Sequence, residues 1–198
     1  MPVDEQSLIA SAQKGDVRAF NQLVLLYQSL AYNVAYRILD DAEAAADATQ
    51  DAFFSAYRAM SRFRGGSFRA WLLRIVTNAC YDQLRRKKRR PTQSLDDLPM
   101  EADHTAYLRD PAEQPDEYAE RQELNRLLQE AIRRLPPDQR IVLVLSDVQG
   151  LNYREIAQAT GLALGTVKSR LSRARAKLRD DLVRQGELLP ARYRLQSE

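Results

Sequence analysis

From Lys168 to Arg179, within the stretch Leu151 to Leu182, the chain sets six cations, Lys168, Arg170, Arg173, Arg175, Lys177 and Arg179, on one periodic segment with no acid among them. A helix face carrying charges of one sign repels itself unless a polyanion neutralises it. These residue types have a definite chemistry toward nucleic acid: Arg and Lys bond guanine O6 and N7, and hydroxyls such as those of Ser169 and Ser172 suit phosphates or base edges. The alternative, a plain solvated cationic face, ordinarily brings acidic partners three or four residues away, and this segment supplies none.

Side chains of this kind read DNA only when a helix holds them rigidly. Leu164, Val167, Leu171, Ala174 and Leu178 recur at spacings of three and four, so one stripe packs inward and Lys168, Ser169, Arg170, Ser172, Arg173 and Arg175 lie off it. Ahead of this helix, Asn152 followed by Glu155 predicts a capping pair for a shorter helix with Ile156 and Ala157 facing inward, broken at Thr160-Gly161. Two helices joined by a tight turn, the second one cationic, form a DNA-reading helix-turn-helix.

Other chemistries find little to work with. The lone Cys80 excludes an intrachain disulfide and reads as a small core residue, since nothing adjacent marks a stabilised thiolate. His104 is the single histidine, so neither a metal site with Cys/His spacing nor a nucleophile–histidine pair assembles, and no glycine-rich phosphate loop is present. No metal or cofactor is expected. The N-terminus lacks a signal-peptide pattern, and no apolar run approaches the ~20 residues of a membrane helix, so a cytoplasmic protein is expected.

The 198 residues are 44% hydrophobic and 29% charged, a globular balance. Helix formers dominate and no strand pattern occurs, so the expected fold class is all-α. The net charge of +3 hides a strong polarity: residues 85–90 are all Arg or Lys, whereas residues 95–123 hold ten acids against two cations. Helical patterns fill residues 1–90. A short one covers Glu5 to Ala12, and a turn at Lys14-Gly15-Asp16 offers Asp16 as a cap. A long amphipathic helix then carries Phe20, Leu23, Val24, Tyr27, Ala31, Val34, Ala35 and Ile38. Asp40-Asp41 restarts the chain into an alanine-rich helix, residues 61–67 form a loop, and a third long helix runs from Phe68 into the cationic cluster. Pro91 stops it. Residues 91–118 read as a flexible acidic linker, and residues 119–184 as a second domain in which Asp138 is placed to cap a helix. Residues 185–198 form a tail.

The blocks DATQDAFFSAYRAM (47–60), FRGGSFRAWLLRIVTNACYDQLRR (63–86) and LPPDQRIVLVLSDVQGLNYREIAQATGLALGTVKSRLSRARAKL (135–178), in that order around an acidic linker, resemble bacterial sigma factors of the extracytoplasmic-function type. The resemblance covers roughly residues 5–183. It implies two small helical domains, a region 2 bundle and a region 4 helix-turn-helix. It also implies a factor that binds core RNA polymerase at the clamp helices of the largest subunit and the flap of the second, and that meets promoter DNA under the control of an anti-sigma factor.

Residue by residue, the resemblance assigns the clamp contact to Asp47, Gln50, Asp51 and Phe54, where carboxylates beside an exposed aromatic suit an Arg-rich partner. It assigns the −10 element to Arg64, Gly65, Gly66, Ser67, Phe68, Arg69, Arg74 and Asn78. There the glycines admit a close approach, Phe68 serves as stacking platform and Trp71 as core. Arg85, Arg86, Lys87, Lys88, Arg89 and Arg90 are expected on phosphates, because flexible cations in a row lack fixed geometry toward bases. For the −35 element the choices are Lys168, Ser169, Arg170 and Arg173, with Thr166 on a phosphate. Ala163 departs from the usual Ser or Pro, which puts that helix's cap in doubt. The rival readings are a free-standing dimeric helix-turn-helix regulator and a nucleic-acid enzyme. The first leaves the FRGGSFRAW loop and acidic linker without a role, and the second lacks a second carboxylate pair beside Asp47 and Asp51.

Overall fold

The structure is a computed structural model that describes residues 4–89 and 115–184, and every regular element among them is helical. Helix α1 (Glu5–Gln13) and helix α2 (Val17–Leu39) meet at a turn closed by Asp16, whose carboxylate accepts from the backbone N–H of Arg18 at 2.8 Å and of Ala19 at 3.2 Å. Both orphan donors belong to the first turn of α2, so the capping expected of Asp16 is met. The helix ends where Asp40 turns left-handed, φ 54°, and Asp41 then caps α3 (Ala42–Ala59) by accepting from Ala44 N at 3.0 Å.

Along α3 the inward positions are Ala45, Ala48, Ala52 and Ala56, all fully buried. Side chains this small let α2 and α4 approach α3 closely. A 3₁₀ turn at Met60–Arg62 leads into the loop with Gly65 and Gly66, whose φ values of 86° and 88° lie in the region that L side chains avoid. Ser67 Oγ accepts from Ala70 N at 3.1 Å and opens α4 (Phe68–Arg89).

Helix α5 (Pro115–Arg133) begins ahead of the boundary expected near Tyr118. Helix α6 (Pro137–Leu143) starts with Pro136 at the N-cap and Pro137 as its first residue, with no side-chain cap. Proline already fixes φ and has no N–H to satisfy, so Asp138 does not cap as expected and its carboxylate is available elsewhere. A π-helical segment, Val144–Val148, extends α6 and was not foreseen. The capping box before α7 (Tyr153–Thr160) is complete: Asn152 Oδ1 accepts from Glu155 N at 3.1 Å, and Glu155 Oε2 accepts from Asn152 N at 2.8 Å. Gly161, φ 71°, ends α7, and α8 (Leu164–Arg184) follows. Ala163 contributes only its carbonyl, which accepts from Val167 N at 3.0 Å.

The two helical modules share one hydrophobic core, with α7 lying on α4 and the end of α2 against α5, α6 and the π segment. At that junction the buried Arg140 donates to the carbonyls of Ile38 (2.7 Å), Leu135 (3.2 Å) and Arg133. One guanidinium thereby satisfies orphan carbonyls at the C-termini of α2 and α5, which is what permits its burial. Desolvation lowers its pKa from the usual arginine value.

Candidate nucleic-acid interface

In α8 the inward stripe is Val167, Leu171 and Ala174, all buried, and Lys168, Ser169 and Arg173 are exposed on the other side. Thr166 is half-buried and its carbonyl accepts from Ser169 Oγ at 3.1 Å. Arg170 does not project freely. Its Nε lies 3.2 Å from Asp138 Oδ2 and its side chain is only 26% exposed, so the acid that does not cap α6 serves as its partner. Arg175 is likewise held on Asp147, with Nε–Oδ2 2.9 Å and Nη2–Oδ1 2.6 Å, and Arg179 meets Asp180 at 3.5 Å. The expectation that this face lacks acidic partners is therefore corrected: two of the three come from α6 and its π extension, outside the segment in sequence and next to it in space.

Tyr153, overlooked in the sequence, completes this surface. It lies on the first turn of α7 with Lys168 Nζ 6.0 Å from its ring centroid, and it lines an open groove of about 480 Å³ with Lys168, Ser172, Arg175 and Arg179. An aromatic hydroxyl among cations at the mouth of a helix-turn-helix suits a phosphate. The signal in the sequence was its place directly after the cap Asn152.

At the other module, Arg64, Gly65, Gly66 and Ser67 form an exposed loop, and Arg74 and Asn78 stand exposed one helical turn apart on α4. Phe68 is a correction. It is only 3% exposed and packs with Tyr27 (5.3 Å between centroids), Phe63 (5.7 Å) and Trp71 (5.3 Å). As the first residue of α4 it faces α2, so no base can stack on it, and half-buried Trp71 keeps the more accessible ring. Arg69 is half-buried and donates to Gln149 Oε1 at 2.8 Å, a contact between the two modules.

Arg85, Arg86, Lys87, Lys88 and Arg89 are exposed at the end of α4, and Arg90 lies outside the described residues. Three of them reach acids, Arg85 to Asp82 (3.3 Å), Arg86 to Asp51 (3.9 Å) and Lys87 to Asp41 (3.7 Å). Exposed pairs at such distances contribute little. On α3, Asp47, Gln50, Asp51 and Phe54 share one outward face opposite the buried alanines, with Phe54 57% exposed. The face thus sets one large aromatic in water beside two carboxylates.

Cys80 is fully buried and its thiol is pushed up to about 12 by desolvation, as suits a core residue. Among the described residues no cluster of His, Cys, Asp or Glu could hold a metal ion, and no helix is long and apolar enough to cross a membrane. His104 lies outside the described residues.

Comparison with known proteins matches residues 23–90 to Sigma-70 region 2 and residues 125–178 to Sigma-70 region 4. The chain is 40% identical over 176 residues to the RNA polymerase sigma-H factor of Pseudomonas aeruginosa, covering 86% of this chain and 90% of that protein. It is 36% identical over 173 residues to the ECF RNA polymerase sigma-E factor of Escherichia coli, with 86% and 90% covered. Among solved structures it resembles the sigma factor RpoE in complex with the anti-sigma factor NepR from Bartonella quintana, with TM-score 0.64, 27% identity and 84% and 98% of the two chains covered. CnrH in complex with the cytosolic domain of CnrY gives TM-score 0.63, 30% identity and coverage of 90% and 96%.

Proposed function

The chain belongs to the sigma-70 family, in its extracytoplasmic-function branch, and from that premise we propose how its surfaces divide the work of promoter-specific initiation. It is a sigma factor that binds core RNA polymerase, directs it to promoters and assists melting, under the control of an anti-sigma factor. It works in the cytoplasm and carries out no catalysis of its own. Residues 1–90 form the module for core polymerase and the −10 element, residues 119–184 the module for the −35 element, and residues 91–118 the connection between them.

On α3, Asp47, Gln50, Asp51 and Phe54 dock on the clamp helices, with Phe54 as apolar anchor and the carboxylates bonding to cations of the partner. The second module meets the flap of the polymerase's second subunit. The loop Arg64–Ser67 with Arg69, Arg74 and Asn78 takes the −10 strand. Phe68 supports that loop from the core, and Trp71 offers the partly open ring. Unstacking a base costs a few kcal/mol and stacking returns ~1–3, so melting also needs the cations and the bound polymerase. Arg85 to Arg90 hold phosphates. Lys168, Ser169, Arg170 and Arg173 read the −35 element in the major groove, and Thr166 and Tyr153 steady the backbone.

The observation that supports this reading is the pairing, in one chain, of an exposed carboxylate–aromatic face on α3 with two separate cationic surfaces. A free-standing helix-turn-helix regulator needs only the last. Run-off transcription from a library of random promoters, with core polymerase alone and with this chain added, tests it: new start sites sharing −10 and −35 elements are expected. Specific duplex binding by the lone chain without any association with polymerase would overturn it.

A further inference from the structure

Lys168, Ser172, Arg175 and Arg179 recur at i, i+4, i+7 and i+11 and so share one edge of α8. With Tyr153 of α7 they line the open groove beside that helix. Ser169 and Arg173, the exposed side chains assigned to the −35 bases, lie further round the helix. An acid is out of place on an edge suited to phosphates, yet Asp147 is there. Its carboxylate accepts from Arg175 Nε at 2.9 Å and from Nη2 at 2.6 Å, and Ser146 Oγ stands 3.5 Å from the same Nη2. A guanidinium is a planar fork of five N–H donors, and none of these contacts uses Nη1. Ser146 and Asp147 come from the π-helical segment, in which Gln149 N donates to the carbonyl of Val144, five residues back, at 3.0 Å. Single π turns of this kind are frequent at functional sites.

We propose that Asp147 is a positioning residue for −35 recognition: it fixes the Arg175 fork so that Nη1 clamps one DNA phosphate, and the clamp sets the register in which Ser169 and Arg173 meet the bases. The inference rests on the sigma-factor reading for the identity of the ligand. Phosphate contacts carry no sequence themselves, but they fix the orientation on the duplex that base contacts need. A guanidinium gripped at two points has already given up the rotamer freedom that binding would otherwise cost. Plain electrostatics assigns Asp147 the opposite effect. A carboxylate near the backbone repels phosphate, so its removal would tighten binding to every sequence alike.

The test uses the full chain with core polymerase on barcoded templates, in which the −35 segment is randomised ahead of a constant −10 element taken from promoters that the wild type selects. The wild type is expected to enrich a −35 motif. Asp147→Asn should flatten that enrichment about threefold to tenfold, and Arg175→Lys should do the same although it keeps the charge. Asp147→Glu, which keeps the carboxylate, should retain most of it. Asp147→Asn and Arg175→Lys combined should be no worse than either alone, because the pair acts as one unit. A second pool with a randomised −10 element should be read by every variant as by the wild type. Equal loss in both pools would reduce Asp147 to a stability residue and overturn the proposal. So would stronger transcription from all templates by Asp147→Asn with the −35 motif intact, or an Arg175→Lys chain that reads the −35 pool like the wild type. A wild type that directs no transcription strikes the sigma-factor reading and this inference with it, whereas a selective wild type with unaltered variants strikes this inference alone.

Discussion

Arg175 lays its guanidinium on both oxygens of Asp147, at 2.9 and 2.6 Å, and so ties the middle of the recognition helix to the π-helical segment that follows α6. Hydrogen bonding from Arg175 holds the Asp147 carboxyl below its ordinary value. A carboxyl depressed in the folded state stabilises above its unfolded pKa, and that contribution is lost as pH falls through the folded value. Both side chains are partly open to water, so screening keeps the contribution small. Asp147→Asn should cost ~0.5–1 kcal/mol in urea unfolding at pH 7, and the difference from wild type should close progressively below about pH 4.

Removing the Arg140 guanidinium strands carbonyls of Ile38, Arg133 and Leu135 in the core. Arg140→Met, which keeps the apolar stem, should destabilise the chain by ~2–4 kcal/mol, since each buried acceptor left unpaired costs ~1–3. Thermal unfolding followed by circular dichroism reads this directly.

Phe68→Ala should behave as a core deletion and lower stability by ~3–5 kcal/mol. A defect confined to the −10 element, in a variant as stable as wild type, would show that the ring acts on DNA and not on Tyr27, Phe63 and Trp71.

On α3, Phe54→Ala should weaken binding to core polymerase by ~2 kcal/mol or more while leaving the unfolding midpoint nearly unchanged, because the ring is 57% exposed in the free chain. Titration of labelled chain with core polymerase, beside a melt of the chain alone, separates the two effects.

In the recognition helix, Arg170→Ala should cost ~1–3 kcal/mol at one −35 position, whereas Lys88→Ala should weaken all promoters alike and lower the salt slope by ~1. Quantitative footprinting of the polymerase complex on point-mutated promoters across a salt series distinguishes these roles.

The helices were legible because their signals are local: Asp16, Asp41 and Asn152 mark starts by bonding their own next turn, and Gly161 marks a stop by adopting φ 71°. What stayed hidden depends on partners distant in the chain. Asp138 looked like a cap because it follows a proline pair, yet its partner is Arg170 on another helix. Phe68 looked exposed because it adjoins a glycine loop. It lies in the core because α2 supplies Tyr27 opposite. Arg140 gave no local sign of burial, since its acceptors are carbonyls, which every residue carries. The π segment at Val144–Val148 sits in an apolar run that reads equally well as an unbroken α-helix.

The buried position of Cys80 has a practical side. Thiol-directed probes attack the thiolate, and this sulfur is fully enclosed with its thiol pushed up to about 12. The unaltered polypeptide is therefore its own blank background for site-directed spectroscopy: a dye pair attached at two introduced surface cysteines would report the spacing of the modules, molecule by molecule, with no native residue to replace first.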